Sequence, residues 1–390
     1  MVNGVNARRT SRLRTLLHGS IAVALGLIGA VLLLELILRF LPVSEELDND
    51  QPITAADPIR RFRPDATITW SRGFDFHLVN TVRTNNYGFV NDQNYDPSDT
   101  RPLLTVIGDS YVEAPMLPYV QTLHGLLAAH IAPKGRVYSF GSSGSALAQY
   151  LAYATYARDV FHPAGMAFVI VGNDFDEGLL AYRQWAGFHY FARQPDGSLE
   201  LQLVEYRPRH ATIFHSIGSA LGLDKSALVR YLRCNLPELQ ARLRSPFQGA
   251  KDDLSRYVGQ TEARADEERL RDAREAVDVF LARIPQASGL PRERLLFVLD
   301  GARPHLYHPQ ALQQAEQSFF VQMRNYFLEQ ARALGHECLD MQPVFQTRRD
   351  SPDVRFEFPR DGHWNSQGHA LAAEEVEGSQ TWRRVFGSTQ

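Results

Sequence analysis

A chain of 390 residues, 44% of them hydrophobic, has material for one large domain or two ordinary ones with a full core. Its 41 basic residues against 44 acidic ones leave no net basic charge of the kind a nucleic-acid binder carries. Two cysteines, Cys234 and Cys338, are too few for a disulfide scaffold, although an oxidising compartment would permit one bridge between them.

The first predicted element is a membrane anchor. Arg8, Arg9, Arg12 and Arg14 precede Gly19 to Leu41, an almost wholly apolar stretch. It has the length of a membrane span, ~20 residues. Glu35 and Arg39 interrupt its distal end, four apart, where they pair on one helix face or reach the interface. A cleaved signal peptide would have a shorter apolar region, ~7 to 15 residues, and a small-x-small site, and none follows Leu41. A buried core helix fits poorly beside an arginine cluster. The basic flank is therefore expected in the cytoplasm and everything after Pro42 outside it. The resulting plan is a basic N-terminus over 1–18, an anchor over 19–41, a tether and β lead-in over 42–100, and a main domain over 101–390 with an insertion at about 175–260.

Ser44 to Pro64 is acidic and then proline-punctuated, as an extended tether would be. Trp70 to Tyr95 alternates apolar positions before the turn-rich Thr84 to Phe89, which predicts a short β lead-in with its aromatics in the core. Leu103 to Gly108 reads as a buried parallel strand that runs out into Gly108-Asp109-Ser110. The carboxyl ends of such strands are where ligands bind in open α/β sheets, so Ser110 is a candidate nucleophile. The same tripeptide is also an ordinary turn and helix cap. A helix from Thr122 to His130 follows, then a strand from Arg136 to Phe140 ending in Gly141-Ser142-Ser143-Gly144. Next come a helix from Ala146 to Val160 and a strand from Met166 to Val171 ending in Gly172-Asn173-Asp174. This rhythm predicts an α/β fold with a doubly wound parallel sheet flanked by helices, a three-layer sandwich.

Between Phe175 and about Gly259 the rhythm breaks, which predicts an insertion or lid. Thr261 to Ile284 reads as an amphipathic helix, Arg294 to Leu299 as a strand ending at Asp300-Gly301, and Gln310 to Leu334 as one long helix. Glu337 to Met341 is a short strand. Asp361-Gly362-His363 is expected on a polar loop before an alanine-rich helix that runs to about Val376.

Strand-end loops thus present Ser110, Gly144, Asn173 and the Asp361/His363 pair. Ester chemistry at a serine needs a base for its proton, an acid to orient the base, and donors for the oxyanion, and all these residue types are present. In this order the blocks resemble those of the SGNH (GDSL-type) hydrolase family. The resemblance implies Ser110 as nucleophile, His363 as base and Asp361 as its orienting acid. It implies Ser110, Gly144 and Asn173 as oxyanion donors. The acid lies two residues before the histidine, where three is commoner, and the following Trp364-Asn365 and Gly368-His369 look like membrane-associated bacterial branches that include exopolysaccharide O-acetylation proteins. The implied enzyme is a membrane-anchored, extracytoplasmic serine esterase or O-acyltransferase without a cofactor, acting on an acylated small molecule or glycan, with envelope assembly proteins as partners.

Other residues receive plainer expectations. A metal site on Asp361, His363 and His369 lacks an obvious fourth ligand, and His369 is expected to cap or pack its helix. Asp174, Asp176 and Glu177 are expected to be solvated, and Arg303 to form a surface salt bridge rather than meet an anionic substrate. The Gly-x-Ser-x-Gly elbow of α/β-hydrolases needs glycine where Val112 stands. From a different class comes a catalytically silent carbohydrate-binding or scaffold protein with Trp185, Phe188 and Tyr190 as a sugar platform.

Overall fold

The computed structural model of the chain describes residues 2–47, 52–207, 225–244, 256–349, 351 and 354–387. The side chains of Arg8, Arg9, Arg12 and Arg14 lie outside the described residues, as do 208–224 and 245–255 of the expected insertion. The chain forms two compact units.

The first unit lies within residues 1–46, 69–79 and 210–244. Its long helix α1 (Val2–Leu38) contains the stretch Leu17–Leu38, 22 residues long and apolar enough to cross a membrane, with almost all of its side chains exposed. Arg39 Nε donates to Glu35 at 2.8 Å, the pairing expected four apart. The same carboxylate accepts from Ser226 Oγ at 2.7 Å, Leu228 N at 2.9 Å and Ala227 N at 3.2 Å, so it caps the short helix Ala227–Arg230. Leu38, Val43 and Ala227, with Phe76, Leu228 and Tyr231, form a small core below it. Part of the expected insertion therefore belongs to the foot of α1.

The second unit contains the parallel sheet. Its strands are β1 (Leu103–Gly108), β2 (Arg136–Gly141), β3 (Gly165–Ile170), β4 (Leu295–Leu299) and β5 (Glu337–Asp340), arranged β2-β1-β3-β4-β5. Every neighbouring pair is parallel, and Gly108 faces Gly141 in register. Growth of the sheet reverses between β1 and β3, and that reversal opens a crevice beyond the carboxyl ends of the strands. Alternate residues of each strand feed the two faces, as the pleat requires. Leu103, Ile107, Phe140, Phe168 and Phe297 pack under α4 (Leu147–Phe161), α5 (Glu267–Ser288) and α6 (Phe319–Ala333). Leu104, Val106, Val137, Val169 and Val298 pack under the opposite layer. That layer is α3 (Leu123–Ile131), α7 (Met341–Thr347), α8 (Ser366–Gly378) and α9 (Gln380–Phe386), and a one-turn helix, α2 (Ser110–Glu113), follows β1. The three-layer sandwich expected from the strand and helix rhythm is present.

Three boundaries differ from expectation. Thr261–Glu262 is extended and pairs with Tyr257–Val258, so α5 starts at Glu267 rather than Thr261. The helix expected over Gln310 to Leu334 is two, Pro309–Ala315 and α6. Ser318 separates them by accepting from Val321 N at 3.3 Å, an N-cap bond that a continuous helix could not contain. β5 turns directly into α7, where Asp340 accepts from Gln342 N at 3.0 Å, and no apolar period in so short a helix announces it. Within the insertion, Phe188–Arg193 and Leu199–Val204 form an antiparallel hairpin. The lead-in is a two-stranded sheet of Thr67–Arg72 and Leu78–Arg83, and its following aromatics are core as expected, Tyr95 stacking on Tyr138 at 4.0 Å between ring centroids. Cys234 and Cys338 are both free.

Candidate active site

Ser110 stands at the first position of α2, straight off the end of β1. The residue before it is the helix cap. Asp109 is buried and accepts from Tyr111 N at 2.9 Å, which ties its side chain to the backbone and leaves Ser110 to project into the crevice. The turn-and-cap reading and the functional reading of Gly108-Asp109-Ser110 thus describe one object. Ser110 Oγ lies 2.7 Å from His363 Nε2 and 3.2 Å from Asp109 Oδ2, so its single proton goes to the nearer imidazole nitrogen. Burial holds the Asp109 carboxyl above its ordinary range.

His363 and Asp361 are not on a loop. They sit in the short strand Asp361–Trp364, paired antiparallel with Glu357–Phe358. Two residues apart on a strand, both side chains project to one side. Asp361 Oδ1 accepts from the His363 backbone N–H at 3.0 Å and is also hydrogen-bonded to His363 Nδ1. A carboxylate can only accept, so Nδ1 carries the proton and Nε2 is left as the acceptor for serine. The shorter acid-to-base spacing is what this strand geometry requires.

The strand is braced from beneath. The Gly362 carbonyl accepts from Tyr111 Oη at 2.9 Å and from Arg303 Nη2 at 2.8 Å. Arg303 also donates to Tyr111 Oη at 2.6 Å and to both oxygens of Asp300, at 2.8 and 2.7 Å. Trp364 Nε1 donates to Asp300 Oδ1 at 2.8 Å. Arg303, expected at the surface, is 1% exposed. It is buried because the chain leaving β4 turns inward, and a buried guanidinium persists only when its charge is matched, here by Asp300. Burial likewise keeps the Tyr111 hydroxyl far from ionising.

Two further residues flank Ser110 on the adjacent strand ends. Gly144, beyond β2, has φ +85°, and a Cβ there would lie 2.6 Å from Trp185 Cζ3, so both backbone and space demand glycine. Its loop is held by the Ser143 N–H on the buried Glu113 carboxylate and by Arg60 Nε on Ser142 Oγ at 3.0 Å. Asn173, beyond β3, is half-buried in the turn Gly172–Asp174, and its Nδ2 donates to Glu177 Oε2 at 3.1 Å. One amide hydrogen is used there and one remains.

The acidic residues after Asn173 are not a solvated patch. Asp174 is fully buried and accepts from Tyr150 Oη and Val171 N, both at 2.8 Å. Asp176 is buried against Arg269 at 2.7 Å, and Glu177 pairs with Arg183. Burial raises the pKa of all three carboxyls. His369 packs as expected, its Nδ1 accepting from Leu123 N at 3.0 Å between α8 and α3, so it does not join Asp361 and His363. Among the described residues no cluster of histidine, cysteine and acids has metal-holding geometry. Sequence reading missed Tyr111 and Glu113 and set Glu177 and Arg303 at the surface, because nothing in a local pattern reports which way a strand-end side chain turns.

No protein-family model and no curated protein matches the sequence. Among solved structures the chain is similar to a lipase/acylhydrolase from Enterococcus faecalis, at 11% identity over 71% of this chain and 96% of that one, with a TM-score of 0.36. It is similar to a member of the lipolytic G-D-S-L family from Veillonella parvula, at 9% identity over 71% and 96% of the two chains, with a TM-score of 0.34. An acetyl xylan esterase is also similar, at 10% identity over 71% and 98% of the two chains, with a TM-score of 0.35. At these values the likeness carries no part of the functional assignment, which rests on the distances above.

Proposed function

We propose that the chain is a serine esterase or O-acyltransferase that works through an acyl-enzyme. One observation carries this reading. Ser110 Oγ lies 2.7 Å from His363 Nε2, and the far side of the same imidazole is held by Asp361. In the proposed reaction Ser110 Oγ attacks the acyl carbonyl and its proton passes to Nε2, while Asp361 balances the imidazolium. The oxyanion takes the N–H groups of Ser110 and Gly144 and the remaining amide hydrogen of Asn173. His363 then gives its proton to the departing alkoxide as the C–O bond breaks, and water or a sugar hydroxyl attacks the acyl-serine by the same steps in reverse.

The finer reading places α1 in a membrane, the second unit outside the cytoplasm, and the acyl group on a glycan. The length and exposure of Leu17–Leu38 support the anchor, and the resemblance to membrane-associated O-acetylation proteins supports the glycan. A silent binding protein would have no need of a serine, base and acid in hydrogen-bonded sequence.

The test is hydrolysis of 4-nitrophenyl acetate by the full-length chain in detergent, beside Ser110→Ala. Wild-type turnover with an acetylated Ser110 peptide seen by mass spectrometry, and a loss of at least ~10³-fold in the variant, is the expected result. Equal rates in the two proteins would sink the acyl-enzyme reading.

A further inference from the structure

β1 lies between β2 and β3, and the loops that leave those two neighbours carry Gly144 and Asn173. A single run of contacts joins these two loops. Asn173 Nδ2 donates to Glu177, Glu177 pairs with Arg183, and the Arg183 guanidinium carbon lies 3.4 Å from the centre of the Trp185 indole. The indole in turn sits against Gly144, where a Cβ would be 2.6 Å from its ring. The segment from Glu177 to Trp185 therefore bridges the two strand-end loops on either side of the strand that leads to Ser110.

Tyr182, at 40% exposure, and Trp185 are the exposed aromatics of this segment. Phe188 and Tyr190, the other members of the expected platform, are core residues at 2% and 1% exposure, whereas Trp185 is 51% exposed. Tyr190 fixes the backbone that bears the exposed indole, since its hydroxyl accepts from the Trp185 main-chain N–H at 2.8 Å. Arg183 stacking adds a second restraint. A large, oriented, half-wet aromatic beside a nucleophile is a surface prepared for a ligand. The chemistry around it favours a polyol over an acyl chain. Beside it in the chain Gln184 is exposed, with its carboxamide oxygen and one N–H left after Nε2 donates to Leu180 O at 3.0 Å, and Arg183 adds guanidinium donors, whereas the exposed Tyr182 gives its hydroxyl proton to Asp272 at 3.1 Å. A pyranose presents an apolar C–H face suited to the electron-rich indole, with hydroxyls at its rim for those polar groups.

We propose that Trp185, oriented by Arg183 and Tyr190, is the platform for the sugar ring that carries or receives the acyl group. This rests on the acyl-enzyme reading of Ser110. It makes Trp185 a substrate-contacting residue that sorts sugar esters from simple ones, and Glu177 a positioning residue that couples the platform to the Asn173 amide.

Two measurements on the full-length chain in detergent test it. Ser110→Ala is titrated by calorimetry with acetylated cello-, manno- and xylohexaose, and the double variant Ser110→Ala/Trp185→Ala is titrated beside it. Binding of at least one hexasaccharide that weakens at least tenfold in the double variant is expected. Absence of binding by all three, or equal binding in the two proteins, would overturn the platform. In the Ser110 background, Trp185→Ala is expected to lower kcat/KM for the bound hexasaccharide ester at least tenfold more than for 4-nitrophenyl acetate, mainly through KM, with Trp185→Phe recovering part of the loss. An equal fall for both esters would make Trp185 a structural residue. If the wild-type chain turns over neither ester while calorimetry still shows the Trp185-dependent binding, the acyl-enzyme reading fails and the sugar platform survives.

Discussion

At the scale of single residues, the serine and its base are held by groups that take no part in the proposed bond-making. Tyr111 is the clearest of these. Its hydroxyl bonds the Gly362 carbonyl between Asp361 and His363, and its ring lies 4.9 Å from the His363 ring. Arg303 also bonds the Gly362 carbonyl, but removing a buried guanidinium strands the Asp300 carboxylate, at ~3 to 5 kcal/mol, and would unfold the site. Tyr111→Phe is the gentler probe of this positioning role. It keeps the ring and deletes one hydroxyl, so the expected loss of stability is small, ~1 kcal/mol. Because the base then turns more freely, kcat for 4-nitrophenyl acetate is expected to fall about tenfold with KM little changed, and the pH midpoint of kcat to move. An unchanged kcat and pH midpoint would make Tyr111 a packing residue only. Sequence reading collected Ser110, His363 and Asp361 because their blocks stand in the order that carries a family resemblance. It passed over Tyr111 and Arg303 because an aromatic and an arginine are unremarkable anywhere.

At the scale of elements, the packing of α3 against α8 carries a pH dependence. His124 is buried beside Thr122 Oγ1 at 3.1 Å, and His369 is buried on the N–H of Leu123. Burial pushes both imidazoles down to about 3. In the unfolded chain each titrates near ~6.5, so between those values the unfolded state binds more protons. Stability from this pair is complete above about pH 6.5 and is lost as the pH falls toward 3, with a slope of ~1.4 kcal/mol per pH unit for each histidine. Buried Asp109, Glu113 and Asp174 are shifted upward and act with the opposite sign, losing their contribution as pH rises through their folded values. The difference between wild type and His124→Gln isolates one histidine. Urea unfolding between pH 7 and pH 5 is expected to show a slope shallower by about one proton in the variant. Parallel slopes would place His124 in contact with solvent. The helices themselves were legible wherever the apolar period ran unbroken, as in Leu147–Phe161. Where a helix stops for a side-chain bond, as at Ser318, the period continues through the break and conceals it.

At the scale of the whole molecule, the first unit is a folded foot on the apolar helix. Asn235 lies at its centre, fully buried. Its Oδ1 accepts from Ser44 N at 3.1 Å, and its Nδ2 donates to Ser71 Oγ at 2.9 Å and Gly73 O at 3.2 Å. It ties together three stretches distant in sequence, and each group left unpaired in the interior costs ~1 to 3 kcal/mol. Asn235→Leu is therefore expected to speed hydrogen exchange in peptides covering 69–79 and 226–244 of the full-length chain, and unchanged exchange there would deny the tie. Sequence by itself determined the strand and helix rhythm, the apolar span, and the residue types at the strand ends, because burial period, turn chemistry and length are local properties. Only the tertiary structure decided which strand-end side chains meet: that Asp361 and His363 share a strand face, that Arg303 and Asp174 turn inward, that Trp185 alone of its aromatic group stays in water, and that residues 227–244 fold with the foot of α1. Those outcomes depend on the order of strands across the sheet and on the pairing of buried charges, which couple residues far apart in the chain and leave no periodic trace along it.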